Sequence, residues 1–240
     1  MTPRQQAAEL PIAIVSAMDS ELRALIPLLR DPLPVELAGR TFHQGTIHGH
    51  PVVLVLSGIG KVAAATTAVL LMQAFDARQL VFTGVAGGLH EGVAVGDVVV
   101  ARQLLQHDMD ASPLFPRFEV PLTGRSRFDA DRDLAVALAV AARGLAGTRV
   151  HEGLIVSGDR FVSSAAESLG QRALLPDALA VEMEGAAVAQ VCADFDRPFA
   201  VVRTISDRAD DEAHVDFKRV IEEVASATTR AVVEAWLTRA

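Results

Sequence analysis

What the sequence lacks narrows the field first. Cysteine occurs once in 240 residues, as Cys192, so no internal disulfide can form and a reducing compartment is expected. No apolar run approaches the roughly 18 residues of a membrane-spanning helix. The first ten residues, MTPRQQAAEL, are polar, and the apolar stretch behind them is far shorter than a secretory signal core. A cytoplasmic protein with no membrane partner is the expectation. Basic clusters are also missing: the formal net charge is −8, and Lys and Arg are too scattered to hold a phosphate backbone, which argues against a nucleic-acid partner. No Pro/Gly/Ser-rich or charged linker, internal repeat or low-complexity segment interrupts the chain. Residues 1–10 therefore read as a polar N-terminal extension and 11–240 as one domain.

What is present is an alternation. Short β-branched runs predict strands at 12–16, 41–47, 52–56, 80–83, 97–104, 153–157 and 199–205. Ala/Leu-rich stretches with helical periodicity predict helices at 20–29, 62–75, 131–143, 184–194 and 217–237. This pattern implies an α/β fold with helices on both faces of a sheet. The stretch His48-Gly49-His50-Pro51 reads as a hairpin turn, and Cys192, inside AAVAQVCADF, reads as a buried core thiol. The informative positions are the strand ends: Ser16-Ala17-Met18, Gly84-Val85-Ala86-Gly87-Gly88, Gly158-Asp159 and Ser206-Asp207. Ligand crevices of open α/β sheets lie outside the carboxyl ends of strands, so these four segments are expected to converge.

Several familiar signatures fail on spacing. Ser57-Gly58-Ile59-Gly60-Lys61 is not a P-loop, because Val55 stands where the leading Gly is needed and Val62 where Ser or Thr must follow Lys. Gly84 to Gly88 spaces its glycines as GxxGG rather than GxGxxG, and Ile155 denies Ser157 the preceding Gly of a nucleophile elbow. Neither a nicotinamide enzyme nor a serine hydrolase fits. His107-Asp108-Met109-Asp110 has too few oxygen ligands for a hard cation and no second His or Cys for zinc, so it reads as a polar loop and no metal is expected.

Acidic residues at strand mouths remain. Glu21 opens a helix after IAIVSAMDS, Glu182 and Glu184 flank Met183 in AVEMEGAA, and Asp207 ends VVRTISD. Singly, each has a plain structural reading: Glu21 and Glu184 favoured by a helix N-terminus, Asp207 capping a turn.

Together these segments resemble the 5′-methylthioadenosine/S-adenosylhomocysteine nucleosidase family, within the purine nucleoside phosphorylase superfamily. The stretches that carry the likeness are AIVSAMDSELRAL, SGIGKVAAATTAVLL, FTGVAGGL, VGDVVVARQLLQHDMD, GLIVSGDRFV, AVEMEGAAVAQVC and PFAVVRTISDRAD, in the family's order from residue 12 to about residue 217. Residues 111–147 look least like the family. The resemblance implies a nucleoside phosphorylase-like three-layer sandwich around a central mixed sheet. It also implies a homodimer, no cofactor, and a hydrolase acting in nucleoside catabolism and methionine salvage. It would release adenine from 5′-methylthioadenosine, S-adenosylhomocysteine and related 5′-substituted adenosines.

By the same resemblance Glu21, helped by Arg203, activates the hydrolytic water. Glu184 with Met183 binds the ribose, Asp207 preceded by Ser206 is the acid at the purine, and Phe161 and Val162 form the adenine platform. Ala86, Gly87 and Glu182 complete the expected substrate-binding set. The uncharged 5′ thioether calls for an apolar pocket, with Met18, Ile59 and Phe217, and Leu114 of a second subunit, as candidates. Val85 departs from the family pattern, standing where its TGSAGG-like loop carries serine. The alternatives are a phosphorylase of the same fold, an aminodeoxyfutalosine hydrolase, and a non-catalytic nucleoside binder. Glu21 and Phe82 occupy places where bacterial phosphorylases of the superfamily carry arginines, which disfavours phosphate as the attacking group.

Overall fold

Strand β1 (Ile12–Ser16) sets the frame. All five of its residues are buried, because Ile12 and Ile14 pack on one face of the sheet while Ala13 and Val15 pack on the other. In the computed structural model, which describes residues 9–210, 213 and 225–239, β1 lies between β4 (His50–Leu56) and β5 (Gln79–Gly88), parallel to both. Beyond β4 the sheet continues antiparallel through β3 (Arg40–Ile47) to β2 (Arg30–Leu37). Two-residue turns at Ala38-Gly39 and His48-Gly49 join these strands. Positive φ at all four positions matches the turn geometry that follows strand twist, and the second turn is the one expected from sequence.

On the other side of β5 the sheet curls back on itself. β5 runs parallel to β10 (Phe199–Asp207) and ends antiparallel to β9 (Ala178–Glu182). β10 pairs antiparallel with β6 (Val98–Gln106), β6 pairs parallel with β8 (Val150–Ser157), and β8 pairs parallel with β9. The order β5-β10-β6-β8-β9 thus closes into a ring, with the short β7 (Arg127–Asp129) added beside β6.

Helices cover both faces. On one, α2 (Lys61–Phe75) packs against α5 (Gly185–Asp194) over a core that includes Val53, Leu71, Phe82, Val201 and the buried Cys192, whose thiol is pushed up to about 12 by burial. On the other, α3 (Arg132–Arg143) and α1 (Asp19–Leu25) pack against α6 (Ser226–Leu237) over Leu25, Leu54, Leu138 and Trp236. Each fully buried aliphatic side chain contributes roughly 1.5–3 kcal/mol, so the two cores hold the strand ends firmly. The remaining helix, α4 (Ala165–Leu174), begins at Ser164, whose hydroxyl accepts from Glu167 N–H. The mixed sheet between helical layers is the architecture expected from the sequence. No helix among the described residues is long and apolar enough to cross a membrane.

The differences have physical causes. The strand expected at 80–83 runs on through Gly88, so the glycine-rich segment is ladder rather than loop, held by β10 on one side and β9 on the other. β2 escaped notice because it contains Pro32 and Pro34, tolerated there because it is an edge strand. β9 is only ALAVE, a composition that favours helix when read alone, and the parallel ladder to β8 overrides it. Residues 217–224 of the last expected helix lie outside the described residues.

Candidate active site

At the carboxyl ends of β1, β5, β9 and β10 lies a cavity of about 420 Å³. Ala17, Met18, Ile59, Gly84, Val85, Ala86, Gly87, Phe161, Val181, Glu182, Met183, Glu184, Arg203, Ser206 and Asp207 line it. Of the residues singled out from the sequence, Met18, Ile59, Ala86, Gly87, Phe161, Glu182, Met183, Glu184, Arg203, Ser206 and Asp207 thus meet in one place. Val162 lines a small recess adjoining it, with Arg160, Phe161 and Asp207. Glu21 stands behind the wall, fully buried, reached through Met18, whose backbone N–H donates to Glu21 Oε2 at 3.3 Å. Leu114 is outside the lining and 84% exposed, and Phe217 lies outside the described residues. Gly158-Asp159 does not line the cavity but packs beside it on the start of α2.

Arg203 is the centre of the polar wall. It is 1% exposed, its guanidinium carbon sits 4.2 Å above the Phe82 ring, and Nη1 donates to the Phe82 carbonyl at 3.2 Å. Nη2 donates to Glu182 Oε2 at 2.6 Å in a fully buried ion pair. The rest of the Glu182 carboxylate is filled by the Ser157 hydroxyl and by the backbone N–H groups of Glu184 and Gly185 at the start of α5. Glu182 therefore faces the cavity with its acceptors already engaged.

Glu21 is the opposite case. Burial pushes its carboxyl up to about 7, with the Arg203 charge and the Met18 N–H pulling back. Among the described residues its Oε1 has no hydrogen-bond partner, and neither does Arg203 Nε. A buried acceptor and a buried donor on interacting residues are thus left unused beside the cavity, the arrangement that receives a small polar molecule from solvent.

Four residues beyond Arg203, at the end of β10, Asp207 is 1% exposed. Its Oδ2 accepts from the Ser206 hydroxyl at 2.8 Å and its Oδ1 from Ala209 N–H at 2.8 Å. The backbone of Gly87 passes so close that a Cβ there would stand 2.9 Å from Asp207 Oδ1, so glycine is needed for the approach. Glu184 precedes α5, and burial and the neighbouring Glu182 raise its carboxyl to about 7. One of its oxygens accepts from Gly60 N–H at 2.8 Å.

Ala17 and Gly84 fall in the strand-end segments expected to converge, whereas sequence reasoning missed Val181 in the lining and the supporting Ser157. Both stand at the ends of strands, β9 and β8, where the strand-end rule also applies.

The sequence profile of the family described as Phosphorylase superfamily matches residues 11–237. A 5′-methylthioadenosine/S-adenosylhomocysteine nucleosidase of Shewanella frigidimarina is 37% identical over 210 residues, covering 88% of this chain and 91% of the relative. The crystal structure of a nucleosidase of the same name from Neisseria meningitidis, in complex with methylthio-immucillin-A, superposes with a TM-score of 0.92. It is 36% identical and covers 97% of this chain and 100% of that one. A futalosine hydrolase mutant of Helicobacter pylori superposes with a TM-score of 0.90 at 32% identity, covering 97% and 100%. Fold, strand-end cavity and these likenesses agree: the chain belongs to the 5′-methylthioadenosine/S-adenosylhomocysteine nucleosidase family of the phosphorylase superfamily.

Proposed function

We propose that the protein hydrolyses the N-glycosidic bond of 5′-methylthioadenosine, S-adenosylhomocysteine and related 5′-substituted adenosines, releasing adenine. The observation that carries the reading is the pair of unused buried atoms, Glu21 Oε1 and Arg203 Nε, at a cavity that the buried acid Asp207 also lines. Water held by that pair donates its proton to Glu21 as it attacks C1′, while Asp207 delivers a proton to N7 so that adenine leaves as a neutral base. As the C1′–N9 bond stretches, positive charge grows on the ribose, and Glu184, gripping the 2′ and 3′ hydroxyls, stabilises it. Phe161 and Val162 flank the base. Met18, Ile59, Met183 and Val85 give the neutral thioether an apolar berth.

Phosphate would need a free cation. Among the described residues the cations that line the cavity and its recess are Arg203 and Arg160, and each is paired with a carboxylate, Glu182 and Glu167 respectively. Water is therefore the favoured nucleophile. The futalosine hydrolase likeness favours a second substrate, aminodeoxyfutalosine, which shares adenine and ribose.

The decisive experiment measures adenine release in phosphate-free buffer from methylthioadenosine, S-adenosylhomocysteine, 5′-deoxyadenosine and aminodeoxyfutalosine. Release from at least the first two is expected, and silence until phosphate is added would identify a phosphorylase instead. We also infer a homodimer, supported by Leu114 and Leu122, 84% and 89% exposed on one segment, which light scattering tests. The lone buried Cys192 supports a cytoplasmic setting.

A further inference from the structure

Beside the cavity, three elements meet in a cluster that the chemistry above does not use. Lys61 opens α2, Asp108 follows β6 and Asp159 follows β8. Lys61 Nζ donates to Asp108 Oδ1 at 2.6 Å and to Gln106 Oε1 at 3.0 Å. Lys61 N–H donates to Asp159 Oδ1 at 2.7 Å, and Asp159 N–H donates back to Asp108 Oδ2 at 2.9 Å. One residue before Lys61, Gly60 turns with φ at +94°, and its N–H lands on Glu184 Oε1. The cluster thus ties the first turn of α2 to two strand ends at the point where that turn meets the sugar-side carboxylate.

We propose that Asp108, Lys61 and Asp159 are positioning residues that pin the start of α2 so that the Gly60 N–H stays on Glu184, presenting that carboxylate, ionised and fixed, to the ribose hydroxyls. This rests on the reading of Glu184 as the ribose-binding group. Glu184 is poised for such control. Burial and Glu182 hold it near pH 7, while the Gly60 N–H and Arg203 pull it down, so losing the Gly60 bond disfavours the anion. Among the described residues, the other charged groups nearby are spoken for: Arg203 is paired with Glu182, the three cluster residues are paired with one another, and burial pushes His107 towards its neutral form.

The test is the affinity of a carbon-linked 5′-methylthioadenosine analogue, whose base cannot be released, measured by calorimetry from pH 5.5 to 9. The wild type, Asp108→Ala, Asp159→Ala and Glu184→Gln are compared. Binding by the wild type should weaken as pH falls through the Glu184 midpoint. In Asp108→Ala that midpoint should rise by about half to one pH unit, weakening binding several-fold at pH 7. The sign is diagnostic, because deleting a negative charge and freeing Lys61 would by simple electrostatics move the midpoint down. Asp159→Ala should shift it the same way, and the double variant no further than the larger single one, since both release the same turn. Both aspartates are on the surface, so folding is expected to survive, and a thermal melt checks this. A midpoint unchanged or lowered in both single variants, with Glu184→Gln unable to bind, overturns the clamp and leaves the ribose role standing. Wild-type binding by Glu184→Gln overturns the ribose role and the clamp with it.

Discussion

Two buried carboxylates flank Arg203 and could hardly be treated more differently. Glu182 is held by Arg203, Ser157 and two backbone N–H groups, so it is a fixed part of the wall. Glu21, fully buried behind the same cavity, has one bond to its own helix start and one oxygen with none. Its carboxyl consequently rises to about 7. A carboxylate whose acceptors are filled by the protein holds its neighbours in place. One with a spare acceptor and a raised pKa is suited to receiving a proton near neutrality. The contrast separates the group that positions Arg203 from the group available for chemistry.

Substitutions at the two sites should therefore break apart. The largest effect is expected from Glu182→Gln, which leaves the Arg203 charge buried without its partner. Chemical denaturation should show a loss of about 3–5 kcal/mol, and turnover should fall as well because Arg203 is no longer fixed. Unchanged stability would mean that the pair holds nothing. Glu21→Gln should lose about 10²- to 10⁴-fold in kcat, as expected for a missing general base, yet without the stability loss.

The pH dependence gives the sign of that second contrast. Glu21 has a folded pKa of about 7 against 4.5 as its reference value, so the folded protein binds the extra proton between those values. Stability from this group is fully present at low pH and is lost as pH rises from 4.5 through 7, by on the order of 3 kcal/mol. Glu21→Gln removes the titration and should be more stable than the wild type at pH 8, with the gap closing towards pH 5. A gap that widens on acidification would contradict the raised pKa.

Next in size is Asp207→Asn. The amide oxygen can still accept from Ala209 N–H, so melting should change little while adenine release falls by at least about 10²-fold through loss of the acid. Near-normal turnover would refute Asp207 as proton donor.

How much of this was legible in the sequence depends on what each residue does. Glu21, Glu182, Glu184 and Asp207 stood out as acids at strand mouths, Arg203 entered only with the family resemblance, and the cores followed from the β-branched run at Ile12 to Ser16 and helical patterning over residues 62–75. The division of labour between Glu182 and Glu21 was not legible, because it depends on which acceptors are filled by Ser157, from β8, and by backbone N–H groups at the start of α5. The Lys61 cluster was equally hidden: Asp108 and Asp159 are ordinary loop residues until the β6–β8 ladder brings them side by side. Ser164 and Glu167 do show the Ser-x-x-Glu spacing that starts α4, a signal that was there to be read.

Val85→Ser is the smallest change. Val85 lines the cavity, paired with Thr204 in the β5–β10 ladder one step beyond the Gly84–Arg203 pair. A valine there adds apolar surface and no hydrogen bond. Serine would offer a hydroxyl to the attacking water or the ribose, and one additional bond of ordinary strength corresponds to a gain of about three- to tenfold in kcat/KM. The exchange also removes half-buried methyl surface, so a stability loss of about 1 kcal/mol is expected alongside the gain. Faster turnover with lower stability would mean that this chain has set packing above polarity at residue 85. A lower kcat/KM would place the water or ribose out of reach of residue 85.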